Sequence, residues 1–218
     1  MTPKQQKLEQ MIYDNKIIIA TGPPGTSKTF TAAYAALKLL SKSDDYFRIV
    51  LAKPTEIIGS TALGHTPGSL EEKISVYTDH FYDVFEDIID TRTFEQLISA
   101  KNVQFKVAQF MRGRTFKNAI VIVDEFQSLD IDALRALVTR VGKDNCKIIF
   151  TGDVKQADIA KKYVAVDVFK AILTGLPQVA QFEFDLSDNM RDPLVSMIEE
   201  RFERAEAEGK LTPTKKNS

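Results

Sequence analysis

The chain has one cysteine, Cys146, and two histidines, His65 and His80, among its 218 residues. One cysteine excludes an intramolecular disulfide framework, and so few Cys and His residues exclude a Cys/His zinc site. Cys146 stands directly before the apolar run KIIF and reads as a packing residue rather than a reactive thiol. An excess of charge of either sign is also missing. Lys and Arg total 29 against 30 Asp and Glu, a net charge of −1, so any nucleic-acid contact must come from a local patch. No segment approaches the ~18 consecutive apolar residues of a membrane span, and the opening MTPKQQKLEQ lacks the apolar core of a secretory signal. The expectation is a cytoplasmic protein without a membrane partner. Internal repeats and low-complexity tracts are absent as well.

The 44% hydrophobic content is enough for one continuous core, and a single domain over residues 1–208 is expected. Short apolar runs recur as KIIIA at 16–20, FRIVLA at 47–52, AIVIVD at 119–124, KIIFTG at 147–152 and VAQFEF at 179–184. Such runs suit a parallel sheet covered on both faces. Helical periods lie between them. Leu70, Ile74, Tyr77, Phe81, Phe85 and Ile88 form one stripe; Leu134, Leu137, Val138 and Val141 a second; Val164, Val168, Ala171 and Ile172 a third. Alternating strands and helices predict a three-layer α/β domain with right-handed crossovers and a mostly parallel sheet. The stretch at about 54–118 is too long for one crossover and is expected to be a largely helical insertion on the strand-end face, with a short helix near Phe94–Ile98 and a possible strand VQFKVA. Residues 209–218 read as a polar flexible tail, with weak nucleic-acid contact as the alternative for its basic cluster.

One stretch carries chemistry on its face. ATGPPGTSKTF, Ala20 to Phe30, matches the phosphate-loop pattern G-x-x-x-x-G-K-[ST] at Gly22, Lys28 and Thr29, but Ser27 stands where the pattern has its second glycine. The context is that of a phosphate loop: a buried strand precedes it and the helix pattern TAAYAALKLL follows. Backbone N–H groups of Gly22, Pro23, Pro24, Gly25, Thr26 and Ser27 would surround phosphates wherever an N–H exists, Lys28 would reach the terminal ones and Thr29 would ligate magnesium. Two further elements fit. AIVIVDEFQ is an apolar strand ending in Asp124, placed to approach the metal, and Glu125, placed to polarise the attacking water. KIIFTGDVKQ ends a second buried strand in Thr151, Gly152 and Asp153, close to where a γ-phosphate would lie. Taken singly, each is an ordinary strand end or turn; together they point to nucleoside-triphosphate chemistry.

The order GPPGTSKT, LGHTPGSLEEKI, FMRGRTFKNAIVIVDEFQ, TRVG, FTGDVKQ and MRDPLV resembles the PhoH-like proteins over about Gln5 to Phe202. The resemblance implies a RecA-like P-loop ATPase domain similar to the first motor domain of superfamily-one helicases, with ATP and Mg²⁺ as cofactors. It also implies a ring-shaped homo-oligomer, such as a hexamer, and action on RNA or single-stranded DNA; short members of the family are phage-encoded. By the same resemblance Gln156 matches a γ-phosphate-sensing glutamine. Gln5 or Gln6 occupies the region of an adenine-reading glutamine, with a solvated helix residue as the alternative. Arg191 matches a family arginine that could act as a transition-state cation, though Asp192 departs from the usual His at the next position.

Several readings stay open. Arg112 and Arg114 suit a phosphate of nucleotide or nucleic acid, or a salt bridge to the acids of LEEK. His65 reads as a solvated loop residue and His80 as a packed or exposed helix residue. The aromatic-rich DHFYDVFEDI is either a base-stacking platform or, from its helical period, core. Ser27 costs ~1–2 kcal/mol if the loop demands φ > 0 there, and little if it enters the helix in an ordinary conformation. Function is correspondingly twofold: an ATPase, or an ATP-binding oligomeric scaffold in which Ser27 leaves little or no hydrolysis.

Overall fold

The computed structural model describes residues 1–54, 70–111, 115–142, 144–154, 160–190, 193–208 and 210. Six strands form one all-parallel sheet: β1 (Ile17–Thr21), β2 (Arg48–Lys53), β3 (Val103–Val107), β4 (Ala119–Asp124), β5 (Cys146–Gly152) and β6 (Val179–Glu183). Their order is β3-β2-β4-β5-β1-β6. β5 therefore separates β1, which leads into the phosphate-loop motif, from β4, which ends in the two acids. All five apolar runs became strands, and VQFKVA supplies an edge strand, paired with β2.

Side chains alternate across each strand and feed two cores. On one face Ile18, Ala20, Ile49, Leu51, Ile120, Ile122 and Ile149 meet α1 (Pro3–Asp14), α2 (Lys28–Lys42), α3 (Leu70–Glu86) and α4 (Thr91–Ser99). On the other, Ile19, Val50, Val121, Val123, Ile148 and Phe150 meet α5 (Ile131–Val138) and α6 (Ala160–Leu173). α7 (Pro193–Ala207) follows β6.

Local sequence explains the helix starts. Thr2 and Gln5 form a reciprocal capping box around Pro3, while Asp90 and Asp130 accept from Thr93 N and Ala133 N at the starts of α4 and α5. α2 places Ala32, Ala33, Ala35 and Ala36 entirely out of solvent, and these small side chains let the helix lie close to the sheet. The aromatic segment of α3 is core: Phe81 and Phe85 are buried, and Phe85 stacks on Phe94 at 4.6 Å between ring centroids. The side chains of Leu70, Ile74 and Tyr77 lie outside the described residues.

One helical stripe differs from expectation. On α6, Val168, Ala171 and Ile172 face outward, with Ile172 63% exposed, whereas Val166, Phe169 and Leu173 are buried. Between Lys161, Lys162, Asp167 and Lys170 the apolar residues of this helix spread over more than one face, so period alone does not select which is buried. Phe169 decides it by packing edge-on against Phe150 at 5.2 Å. Cys146 is buried as expected, and burial pushes its thiol up to about 11, which makes it inert.

Candidate functional site

The ends of β1, β4 and β5 converge on one cluster. After β1 the chain turns at Gly22, whose φ is 146°; a Cβ there would lie 2.7 Å from both Cβ and O of Phe184, so only glycine fits. Gly25 also has positive φ, and its carbonyl accepts from Met190 N at 3.0 Å, tying the chain beyond β6 to the loop. Thr26 Oγ1 donates to Pro23 O at 2.9 Å. Lys28, only 8% exposed, curls over the loop and donates from Nζ to the carbonyls of Gly22 and Pro23, each at 2.7 Å. A bound phosphate would offer that ammonium a charged partner in exchange for two neutral ones.

Ser27 is left-handed, with φ 61° and ψ 30°, and its hydroxyl makes no capping hydrogen bond. The loop thus does demand the glycine conformation at this position, and serine adopts it at a cost of ~1–2 kcal/mol. The ordinary helical-entry alternative is excluded. What Ser27 still provides is its carbonyl, which accepts from Thr31 N and from Thr31 Oγ1 in the first turn of α2.

Asp124 is 2% exposed at the end of β4. Its Oδ1 accepts two hydroxyls, Thr29 Oγ1 at 2.9 Å and Thr151 Oγ1 at 2.7 Å, so residues from α2, β4 and β5 meet at one atom. Oδ2 is buried with no hydrogen bond; His80 Nε2 approaches it to 3.2 Å but off hydrogen-bond alignment. Burial alone would raise this carboxyl's pKa, but the imidazole of His80 and the hydroxyls of Thr151 and Thr29 outweigh it and hold the group below the usual range, ionised at neutral pH. Glu125 follows in a left-handed conformation, φ 54°, and its Oε2 accepts from Gln127 Nε2 at 2.5 Å. Gln127 is buried, and its Oε1 accepts from Asp153 N at 3.2 Å, which ties the glutamate to the end of β5. Gly152 makes this possible, since a Cβ there would stand 2.1 Å from Gln127 Oε1.

The donors suit a magnesium ion carried with phosphates. Among the described residues no cluster of three His, Cys, Asp or Glu exists that could cage a metal alone. One hydroxyl and one ionised carboxylate with an orphaned buried oxygen is instead a partial set, of the kind that relies on waters and substrate phosphates for the rest.

The sequence profile of the PhoH-like proteins matches residues 1–203. The chain belongs to the PhoH-like protein family. A PhoH-like protein of Bacillus subtilis is 34% identical over 204 residues, 93% of this chain and 63% of its own length. One of a Synechocystis strain is 32% identical over 206 residues, 94% of this chain and 62% of its own. The PhoH-like chain thus spans less than two thirds of these relatives. Among solved structures, the large terminase of bacteriophage HK97 superposes with a TM-score of 0.58 at 13% identity, over 94% of this chain and 48% of that one. The large terminase of a thermophilic bacteriophage, in complex with ATP-gamma-S, gives 0.54 at 13% identity, over 93% and 49%. These likenesses show the fold, a RecA-like P-loop arrangement.

Of the residues singled out in sequence, Gly22 to Thr29, Asp124 and Glu125 come together in the PhoH-like chain. Gln5 is buried in the capping box, its Oε1 accepting from Thr2 N at 2.8 Å, and Gln6 is exposed. Arg112, Arg114, Gln156, Arg191 and His65 lie outside the described residues. Two residues carry more than the sequence suggested. Gln127 was visible only as part of DEFQ, and nothing in its spacing shows that it reaches Glu125. His80 belongs to a helix whose period marks it as a bystander; its approach to Asp124 is a tertiary fact.

Proposed function

We propose that this PhoH-like chain is a magnesium-dependent ATPase, a single RecA-like unit over residues 1–208 that acts in the cytoplasm. The observation that carries the reading is the meeting of Thr29, Asp124 and Thr151 at a single carboxylate oxygen, beside a Glu125 held by Gln127. Thr29 and Asp124 would hold the magnesium, which when bound neutralises charge on the phosphates. Lys28 transfers its ammonium from the loop carbonyls to the phosphates, and Glu125 orients and polarises the attacking water while Gln127 fixes its carboxylate. Gln156 and Arg191 complete the site from the γ-phosphate side, Gln5 or Gln6 reads the adenine, and Arg112 and Arg114 bind phosphate. Lys28→Ala should abolish tight triphosphate binding. Arg191→Ala should lower kcat while affinity stays similar; an equal loss of affinity makes it a binding residue instead.

Hydrolysis is coupled, in this reading, to action on RNA or single-stranded DNA by a ring of subunits. Support for the polymer comes from a cavity of about 330 Å³ on the β2–β3 edge, where Arg48, Gln104 and Lys106 stand beside Phe110 and, among the described residues, no acid contributes to the lining. Phe110 is 66% exposed, as a base-stacking ring must be. Support for self-association comes from apolar side chains left in solvent on α6 and α7, among them Ile172, Met197 and Phe202. Stimulation of turnover by single-stranded polymer tests the first, and sedimentation with and without ATP the second.

The alternative, a nucleotide-gated scaffold with little hydrolysis, rests on the strained Ser27. A wild type that binds ATP, assembles with it and turns it over only as Ser27→Gly would establish that reading.

A further inference from the structure

His80 has no part in the proposed chemistry, yet its imidazole lies against the candidate metal site. Asp124 Oδ1 already accepts two hydroxyls, from Thr29 at 2.9 Å and Thr151 at 2.7 Å, which fills its two lone pairs. Oδ2 is the oxygen left for a metal-bound water, and it is buried without a hydrogen bond. His80 Nε2 stands 3.2 Å from that atom. An imidazole and a hydrated cation cannot both occupy this place.

We propose that His80 is a positioning residue that covers the metal-facing oxygen of Asp124 and is displaced when magnesium arrives with the triphosphate. The proposal rests on the reading of Thr29 and Asp124 as the metal site. Two features make displacement a side-chain movement. The His80 side chain is 46% exposed and has solvent to turn into, and its neighbour Phe81 is buried in the core with Phe85, which holds this part of α3 in place. The contact lies off hydrogen-bond alignment, and a cation arriving at the same carboxylate replaces the stabilisation that the imidazole gives it. Bare metal would have to expel His80 with only a hydroxyl and a carboxylate to gain. Metal on a triphosphate brings its own phosphate ligands and is anchored by Lys28 and the loop. His80 therefore favours the metal–nucleotide complex over the free ion.

The test uses the 218-residue chain and Mn²⁺, followed by electron paramagnetic resonance, with and without a non-hydrolysable ATP analogue. His80→Ala should bind Mn²⁺ alone roughly tenfold more tightly than wild type, the scale on which residues behind metal ligands alter affinity. The difference should shrink once the analogue is present. His80→Gln, which can return an N–H to the same oxygen, should restore weak binding. Equal or weaker binding of Mn²⁺ by His80→Ala overturns the proposal, as does a tenfold gain that His80→Gln shares in full. Thermal melts of both variants check folding. A separate control protects the underlying reading: if Asp124→Asn binds Mn²⁺ with the analogue as well as wild type does, the metal site itself is wrong.

Discussion

Replacing Ser27 by glycine isolates the one position at which this phosphate loop departs from its pattern. Ser27 sits at φ 61° and ψ 30° without a capping bond from its hydroxyl. An L-residue held there costs ~1–2 kcal/mol, which glycine avoids. Glycine also frees the unfolded chain, at a cost of ~0.5–1 kcal/mol. The net expectation for Ser27→Gly is a gain of about 0.5–1 kcal/mol. In a chain of this size that raises the melting temperature by about 1–4 °C. Ser27→Ala keeps the Cβ and loses no hydrogen bond, so it should stay within about 0.5 kcal/mol of wild type. Urea and thermal unfolding of the three nucleotide-free proteins measure both. The reasoning is refuted if Ser27→Gly is less stable than wild type, or if Ser27→Ala loses more than about 1 kcal/mol, because the hydroxyl must then hold the loop. Analogue affinity adds a separate readout: a shared loss in both variants shows the hydroxyl donating to phosphate.

Three other perturbations follow from the geometry. Gln127→Ala releases Glu125 and leaves Asp153 N without its acceptor in a buried place, so kcat should fall at least roughly tenfold with stability lower by ~1–3 kcal/mol, read by steady-state kinetics and urea unfolding. Phe85→Ala removes a fully buried ring stacked on Phe94 and should cost ~3–5 kcal/mol in urea unfolding, with far smaller losses for Phe85→Leu. Lys147 is buried and its Nζ donates to the carbonyls of Tyr13 and Asn15; burial lowers its pKa to about 8. Since the unfolded chain keeps the proton to about pH 10.4, it binds more protons than the folded one between these values, and stability contributed by this group rises with pH across that window. Relative to Lys147→Met, wild type should gain up to about 2 kcal/mol between pH 7.5 and 10, measured by urea unfolding; a flat difference removes Lys147 as the cause.

Strands were legible because an all-parallel sheet buries both faces, and runs such as AIVIVD admit no other reading once a helix is too long for them. The phosphate loop and the DE pair were legible for a related reason: strand ends are fixed in sequence, and chemistry at strand ends comes with them. α6 was not, because its apolar residues spread beyond a single face between Lys161, Lys162, Asp167 and Lys170, and Phe150 across the interface selects Phe169. Ser27 left two conformations open, since nothing local distinguishes a left-handed serine from a helical one; the close packing of Phe184 on Gly22 and of Met190 on Gly25 settles the loop's path. His80 and the link from Gln127 to Asp153 were out of reach because these contacts depend on how α3 and the end of β5 pack, which no spacing encodes.

The central claim is that Asp124 and Glu125 stand ready to hydrolyse what Lys28 and Thr29 bind. Its most direct test is steady-state ATP hydrolysis with magnesium, together with analogue binding, for wild type, Lys28→Ala and Glu125→Gln. The account predicts turnover in wild type, loss of binding in Lys28→Ala, and retained binding without turnover in Glu125→Gln. Turnover that survives in Glu125→Gln, or a wild type that binds the analogue and hydrolyses nothing, would contradict it.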